Sequence, residues 1–188
     1  CEEAEALSRV LGKKFHAGDR VMILCENGYN WVLSFMALSL ISCVPVPVDT
    51  ALSAAEVGAI AKHAGACGVL YSFSQSKKRR AFAGLCAVCL NRVPMLIREG
   101  KKMSDVDGAD RPATDAPAAL FFTAGTTGAS KGVLLSHKNL LATLNYARGM
   151  MSLCSEDVFL SILPLSHVYE CVCGFLLPFS LGAAVAFG

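Results

Sequence analysis

The sequence predicts an α/β fold, a mainly parallel sheet flanked by helices. Three observations predict it. Short apolar runs alternate with segments of helical length. The runs are continuously apolar, as in strands covered on both faces. Capping residues and glycines fall at the joins between the two kinds of segment.

The elements follow in order. Residues 1–14 read as an amphipathic, charged helix. Gly18-Asp19 leads into Arg20–Cys25 (RVMILC), a short run of the buried-strand kind. Tyr29–Ser42 has helical length and ends before a strand over Val44–Val48. Ser53-Ala-Ala-Glu56 is a capping box that opens a helix to about His63, with Gly65 just past its end. Gly68–Ser72 is the next strand, residues 74–92 a helix and Val93–Arg98 a strand. Residues 99–117 form a polar loop punctuated by Gly100, Gly108, Pro112 and Pro117. Ala118–Thr123 is a strand that runs into a Gly/Thr loop, and Gly132–Ser136 is a second short strand. Ser136 caps a helix through Met151. Asp157–Leu163, His167–Leu181 and Gly182–Phe187 complete the alternation as strand, helix and strand. Strand–helix–strand repeats of this kind cross over right-handedly.

Composition narrows the function classes. A chain of 188 residues is close to one domain and buries roughly 70% of its unfolded surface. Hydrophobic residues are 54% and charged residues 17%, which excludes an intrinsically disordered chain. A net charge of +2 lacks the basic footprint of a nucleic-acid binder. Nine cysteines are too few for a disulfide scaffold. Cys25, Cys43, Cys67, Cys171 and Cys173 sit in apolar runs, where a free thiol packs as a small hydrophobe, and a reducing, cytoplasmic compartment is expected. Cys86-x-x-Cys89 has metal or redox spacing but no second Cys or His pair near it, so it reads as core packing on adjacent helical turns. Cys171-x-Cys173 near His167 reads the same way, and no metal site is expected. The basic run Lys77–Arg80 reads as a solvated helix face. Residues 27–48 and 171–188 lack charge, but Pro45 and Pro47 break the first and Gly174, Pro178 and Gly182 the second. Each reads as a buried helix followed by a buried strand, not a membrane span. The chain starts on Cys1 and stops just past a strand, so a piece of a longer protein is expected.

Leu120–His137 (LFFTAGTTGASKGVLLSH) carries the chemistry. Gly125, Gly128 and Gly132 can take φ > 0 and bring backbone N–H groups close to an anion. Thr123, Thr126, Thr127 and Ser130 add hydroxyl donors, and Lys131 adds an ammonium. Such a set suits a polyphosphate. It is not a Walker A loop, since no Gly-Lys pair has a Gly five positions earlier, and no G-x-G exists for a dinucleotide fingerprint. Two alternatives stay open. Gly128-Ala-Ser130-Lys-Gly132 fits the G-x-S-x-G elbow of an α/β-hydrolase, with Asp157 and His167 downstream in the right order. A non-catalytic, nucleotide-binding fragment would need only the phosphate contacts.

Thr123–Gly132 resembles the signature of the adenylate-forming enzymes, approximately [ST]-[SAG]-G-[ST]-T-G-x-P-K-G, and departs from it at Ser130, where Pro is usual. That family includes acyl-CoA synthetases, peptide synthetase adenylation domains and luciferases. Gly18-Asp-Arg-Val21 and Val44-Pro-Val-Pro-Val-Asp49 are similar to its early segments. Leu163-Pro-Leu-Ser-His-Val-Tyr-Glu170 resembles the stretch that supplies a His beside the carboxylate in long-chain acyl-CoA synthetases. The resemblance implies that residues 1–188 are the incomplete N-terminal part of an adenylate-forming domain, with a phosphate-binding loop over 120–132. It implies ATP and Mg²⁺ held at Thr123, Gly125, Thr126, Thr127, Gly128, Ser130, Lys131 and Gly132, with Lys131 and His167 catalytic. Glu170, three residues on and on the same helical face, either orients His167 or is a solvated side chain. A long-chain fatty acid is the implied substrate, with CoA or a carrier-protein thiol as acceptor and peripheral membrane association of the parent protein. The family's adenine and ribose motifs and its C-terminal catalytic Lys have no counterpart here, so the fragment alone is expected to be inactive.

Overall fold

The computed structural model describes residues 2–104, 112–123, 130–150 and 152–188. The buried-strand runs assemble into one four-stranded sheet: β1 (Arg20–Leu24), β2 (Val44–Pro47), β3 (Gly68–Tyr71) and β4 (Cys86–Cys89). The order is β2-β1-β3-β4 and every pair is parallel. Pro45 and Pro47 cannot donate to a ladder, and β2 accordingly lies at the edge of this ladder.

Alternation along β1 sends its side chains to two cores. Val21 and Ile23 join Leu70 and Val88 beneath α1 (Glu2–Leu11), α2 (Tyr29–Leu40) and α4 (Val93–Gly100). Met22 and Leu24 join Val69 and Tyr71 beneath α3 (Ala54–Ala64) and the 3₁₀ segment Phe73–Phe82. Burying one such side chain fully stabilises the fold by roughly 1.5–3 kcal/mol. The α3 caps stand as the sequence predicts. Ser53 Oγ accepts the Glu56 N–H at 3.3 Å, the Glu56 carboxylate accepts the Ser53 N–H at 2.8 Å, and Gly65 closes the helix at φ +61°.

Two further strand pairs complete the architecture. β5 (Pro117–Thr123) lies beside β2 and pairs with β6 (Lys131–Ser136), which leads directly into α5 (His137–Met150). Ser136 and Asn139 cap α5 reciprocally: Ser136 N–H donates to Asn139 Oδ1 at 3.0 Å and Asn139 N–H to Ser136 Oγ at 3.2 Å. β7 (Val158–Ser161) and β8 (Ala184–Phe187) pair in parallel through a helical connection, α6 (Val168–Glu170), a π-helical turn Cys171–Leu176 and α7 (Leu177–Leu181). Phe175 docks this connection onto α2, edge-on to Trp31 at 6.1 Å and to Phe35 at 5.8 Å.

The structure corrects several expectations. Residues 74–92 are not one helix: the 3₁₀ segment 73–82 gives way to β4 and then to a 3₁₀ turn, Leu90–Arg92. Cys86 and Cys89 therefore lie on a strand, Cys86 exposed, and not on adjacent helical turns. Cys67 is exposed as well. Val93–Arg98 is helix where a strand was expected. Val93, Leu96, Ile97 and Gly100 are its buried positions, the i, i+3, i+4, i+7 spacing of a helix face. The mainly parallel sheet stands as expected, with β5–β6 the one antiparallel pair among the described ladders. Lys78, inside the basic run, is buried and donates to the Thr50 carbonyl at 2.5 Å. Among the described residues, no helix is long and apolar enough to cross a membrane.

Candidate functional site

β5 delivers the site. Ala118, Ala119, Leu120 and Phe121 are buried, and the strand emerges at its C-terminal end to expose Thr123. Thr123 pairs with Lys131, the first residue of β6, and its hydroxyl lies 3.5 Å from the Lys131 carbonyl, to which it donates. The two ends of the Gly/Thr loop are thus held side by side. Gly125, Thr126, Thr127 and Gly128 lie outside the described residues. A Cβ at Gly132 would come within 3.3 Å of Leu120 Cδ1, so glycine there lets β6 approach β5 closely.

A cleft of about 300 Å³ opens where β5 ends. Thr123 and Ser130 meet His167 and Ser166 across it, with Asp49 from the β2–α3 connection and Glu56 from the first turn of α3 also on its walls. Residues more than a hundred positions apart on β2, β5 and the 163–170 segment therefore share one site. Lys131 and Gly132 are exposed beside this cleft and do not line it. Glu56 ionises below the ordinary carboxylate range because the Ser53 hydroxyl and N–H both bond it. The Ser166 hydroxyl is buried without a hydrogen-bond partner, a donor available to whatever occupies the cleft. Among the described residues, no group of three or more His, Cys, Asp or Glu is placed to hold a metal ion.

His167 sits at the start of α6 with an extended backbone, and its carbonyl accepts the Cys171 N–H at 2.9 Å. Its approach is set by a residue the sequence did not single out. Asn27, just past β1, donates through Nδ2 to the Leu163 carbonyl at 2.7 Å and accepts the Leu165 N–H at Oδ1 at 2.9 Å. The expectation of a solvated Glu170 is overturned, and its Oε1 does not hold His167. Glu170 is buried, its Oε1 has no hydrogen-bond partner, and it lies where a Cβ on Gly174 would stand, 2.3 Å away.

The hydrolase alternative also fails on geometry. An elbow serine must join a strand to a helix, whereas Ser130 leads into strand β6. Asp157 does not line the cleft of Ser130 and His167, and its carboxylate instead accepts the Cys154 N–H at 2.7 Å. The buried thiols Cys25 and Cys171 are poor candidates for a nucleophile in its place. Burial, aided by Glu26, pushes the Cys25 thiol up to about 12, and burial raises Cys171 further.

A family model described as "AMP-binding enzyme" matches residues 2–188. The chain belongs to the AMP-binding enzyme family. It is 28% identical over 200 residues to 4-coumarate-CoA ligase 1 of Narcissus pseudonarcissus, covering 97% of this chain and 37% of that protein. It is 27% identical over 181 residues to the crotonobetaine/carnitine–CoA ligase of Escherichia coli, covering 88% and 35%. ATP-bound MatB from Rhodopseudomonas palustris superposes over 100% of this chain and 38% of its own, with a TM-score of 0.85 at 22% identity, a likeness of fold. This AMP-binding chain thus spans about a third of the length of the curated relatives it matches.

Proposed function

We propose that a protein carrying this AMP-binding chain activates a carboxylic acid with ATP and passes the acyl group to CoA. The carboxylate oxygen attacks the α-phosphorus of ATP and pyrophosphate leaves; the CoA thiol then attacks the acyl carbon and AMP leaves. Residues 1–188 form the N-terminal portion of the large domain in this scheme. The observation that carries the reading is the cleft in which Thr123 and Ser130, from the two ends of the phosphate loop, face His167.

The chain's own part is positioning and charge stabilisation. The Thr123 and Ser130 hydroxyls hold phosphate oxygens. Lys131, at the mouth of the loop, neutralises charge that gathers on the leaving pyrophosphate, and Gly125, Thr126, Thr127, Gly128 and Gly132 supply the close backbone approach. Mg²⁺ enters bound to the ATP phosphates and shares their charge. His167 lines the carboxylate end. Chain 1–188 alone is inactive on this reading, and a cytoplasmic location goes with it.

The acid is the finer question. A long-chain fatty acid rests on the Leu163–Glu170 resemblance alone, while the relatives above are named for 4-coumarate and for crotonobetaine and carnitine. ATP–pyrophosphate exchange by the full-length protein, assayed with palmitate, 4-coumarate and crotonobetaine in turn, tests both levels. Exchange that needs Mg²⁺ and one of these acids is expected. Exchange with palmitate foremost upholds the fatty-acid reading, and preference for another acid removes it. Absence of exchange with any carboxylic acid overturns the ligase reading.

A further inference from the structure

A second cleft lies on the other edge of the four-stranded sheet, along β4. Its volume is about 520 Å³, the size of a small-molecule site, and it shares no wall residue with the cleft of Thr123, Ser130 and His167. Lys13, Lys14, Arg79 and Arg92 stand on its walls against one carboxylate, Glu99. Lys13 and Lys14 follow α1, Arg79 comes from the 3₁₀ segment 73–82, and Arg92 ends the turn after β4. All four cations are exposed, and among the described residues none forms an ion pair or a side-chain hydrogen bond. Four like charges around one concavity repel one another, and an anion between them relieves that repulsion.

The start of α4 adds to the same field. Met95 and Leu96 line the cleft, and the helix begins with neither a capping side chain nor an acidic residue in its first turn. The partial positive charge of its N-terminus is therefore left uncompensated beside the four cations. Charge then selects the ligand. Four cations less one carboxylate leave +3 on the walls, whereas a single phosphate group brings about two negative charges at neutral pH. Linked phosphates bring more charge and spread it over a length that cations from three separate elements can share. Each guanidinium offers a planar fork that takes phosphate oxygens two at a time.

We propose that this cleft is a second anion site, which takes a soluble ligand with two or more linked phosphates, held by Lys13 and Lys14 after α1 and by Arg79 and Arg92 beside β4. The site is separate from the Gly/Thr loop, and the proposal does not rest on the ligase reading, because binding is measured without turnover.

The test is calorimetric titration of the full-length protein with sodium tripolyphosphate, without Mg²⁺, in a Lys131→Met background that removes the cation of the Gly/Thr loop. Binding of tripolyphosphate is expected to persist there and to weaken as sodium chloride is raised. In that background Arg79→Gln/Arg92→Gln should lower the affinity about tenfold or more, and Lys13→Gln/Lys14→Gln should do so independently from the α1 side. Orthophosphate should bind about tenfold or more weakly than tripolyphosphate. Lys62→Gln/Lys138→Gln removes the same charge from α3 and α5 and should leave the affinity near that of the parent. Matched thermal unfolding of all variants confirms that each is folded. No binding in the Lys131→Met background overturns the proposal, as does binding that survives both cleft substitutions or falls equally in the Lys62/Lys138 control. Orthophosphate binding as tightly as tripolyphosphate overturns the ligand class.

Discussion

The side chain of Asn27 holds the backbone of Leu165 across a sequence separation of 138 residues, accepting its N–H at 2.9 Å while donating to Leu163 two positions earlier. One amide thereby fixes the turn that presents His167 to the cleft. Asn27→Ala removes both bonds and leaves two backbone groups to find water. At about 0.5–1.5 kcal/mol per bond, the cost to stability is about 1–3 kcal/mol, measurable by urea denaturation. Because the turn positions His167, acid-dependent pyrophosphate exchange should fall by more than the loss of folded protein explains. An Asn27→Ala protein with wild-type stability and exchange would show that the clamp holds nothing in place.

Gly100 sits where α4 crosses α1. A Cβ there would stand 1.8 Å from the Ala6 carbonyl oxygen, a backbone atom that cannot swing aside. Gly100→Ala should force the helices apart and destabilise the protein by about 1–3 kcal/mol or more. Gly149 is the contrasting case, in exposed α5 with no atom within 4 Å of a would-be Cβ. Gly149→Ala should stabilise by a few tenths to about 1 kcal/mol through helix propensity. Thermal melts of the two variants should therefore shift in opposite directions.

These residues also show where sequence is legible and where it is not. The α3 caps could be read because Ser53, Glu56 and Gly65 act on backbone within a few residues of themselves. Arg20–Leu24 could be read because a strand covered on both faces needs an unbroken apolar run. Val93–Ile97 is equally apolar, and only the wider spacing of its buried side, out to Gly100, marks it as helix. The antiparallel direction of β5–β6 was legible in spacing, since the seven residues between Thr123 and Lys131 are too few for a parallel crossover. Thr123, Ser130 and His167, which the structure brings to one cleft, could be singled out from residue types and resemblance. Asn27 was not, because nothing local distinguishes an asparagine that caps a turn more than a hundred residues away.

Glu26 and the residues after β3 predict a pH dependence. Burial alone would raise its carboxyl, but hydrogen bonds from Ser72, Ser74 and Gln75 outweigh it and hold the group at about 2, below its ordinary 4.5. Ser74 Oγ donates at 2.6 Å and Gln75 Nε2 at 2.7 Å. A carboxyl depressed in the folded state stabilises above its unfolded value and loses that contribution as pH falls from about 4.5 towards 2. Glu26 is more than a third exposed, so solvent screening limits the effect to about 1 kcal/mol. Glu26→Gln should be less stable at pH 6 and should lose less stability than wild type between pH 5 and pH 3. Parallel denaturation curves for the two proteins over that interval would remove the carboxylate from the account.

The loop itself yields the sharpest contrast, between neighbours Ser130 and Lys131. Ser130 lines the cleft and Lys131 is exposed at its edge, so proximity alone would make Ser130 the more costly loss. Charge reverses that order. Lys131→Met deletes a charge-assisted contact to phosphate, worth roughly 1.5–3 kcal/mol. At about 1.36 kcal/mol per tenfold, adenylate formation should slow on the order of ten- to several-hundred-fold. Ser130→Ala loses one neutral hydroxyl contact, about 0.5–1.5 kcal/mol, and the family signature dispenses with a hydroxyl there by using Pro. Neither substitution should alter stability, since both residues are exposed, Lys131 at the start of β6 and Ser130 just before it. ATP–pyrophosphate exchange and ester hydrolysis by both variants of the full-length protein give the comparison. A dead Ser130→Ala beside a near-wild-type Lys131→Met would mean that Ser130 is a nucleophile and that the loop does not cradle phosphate.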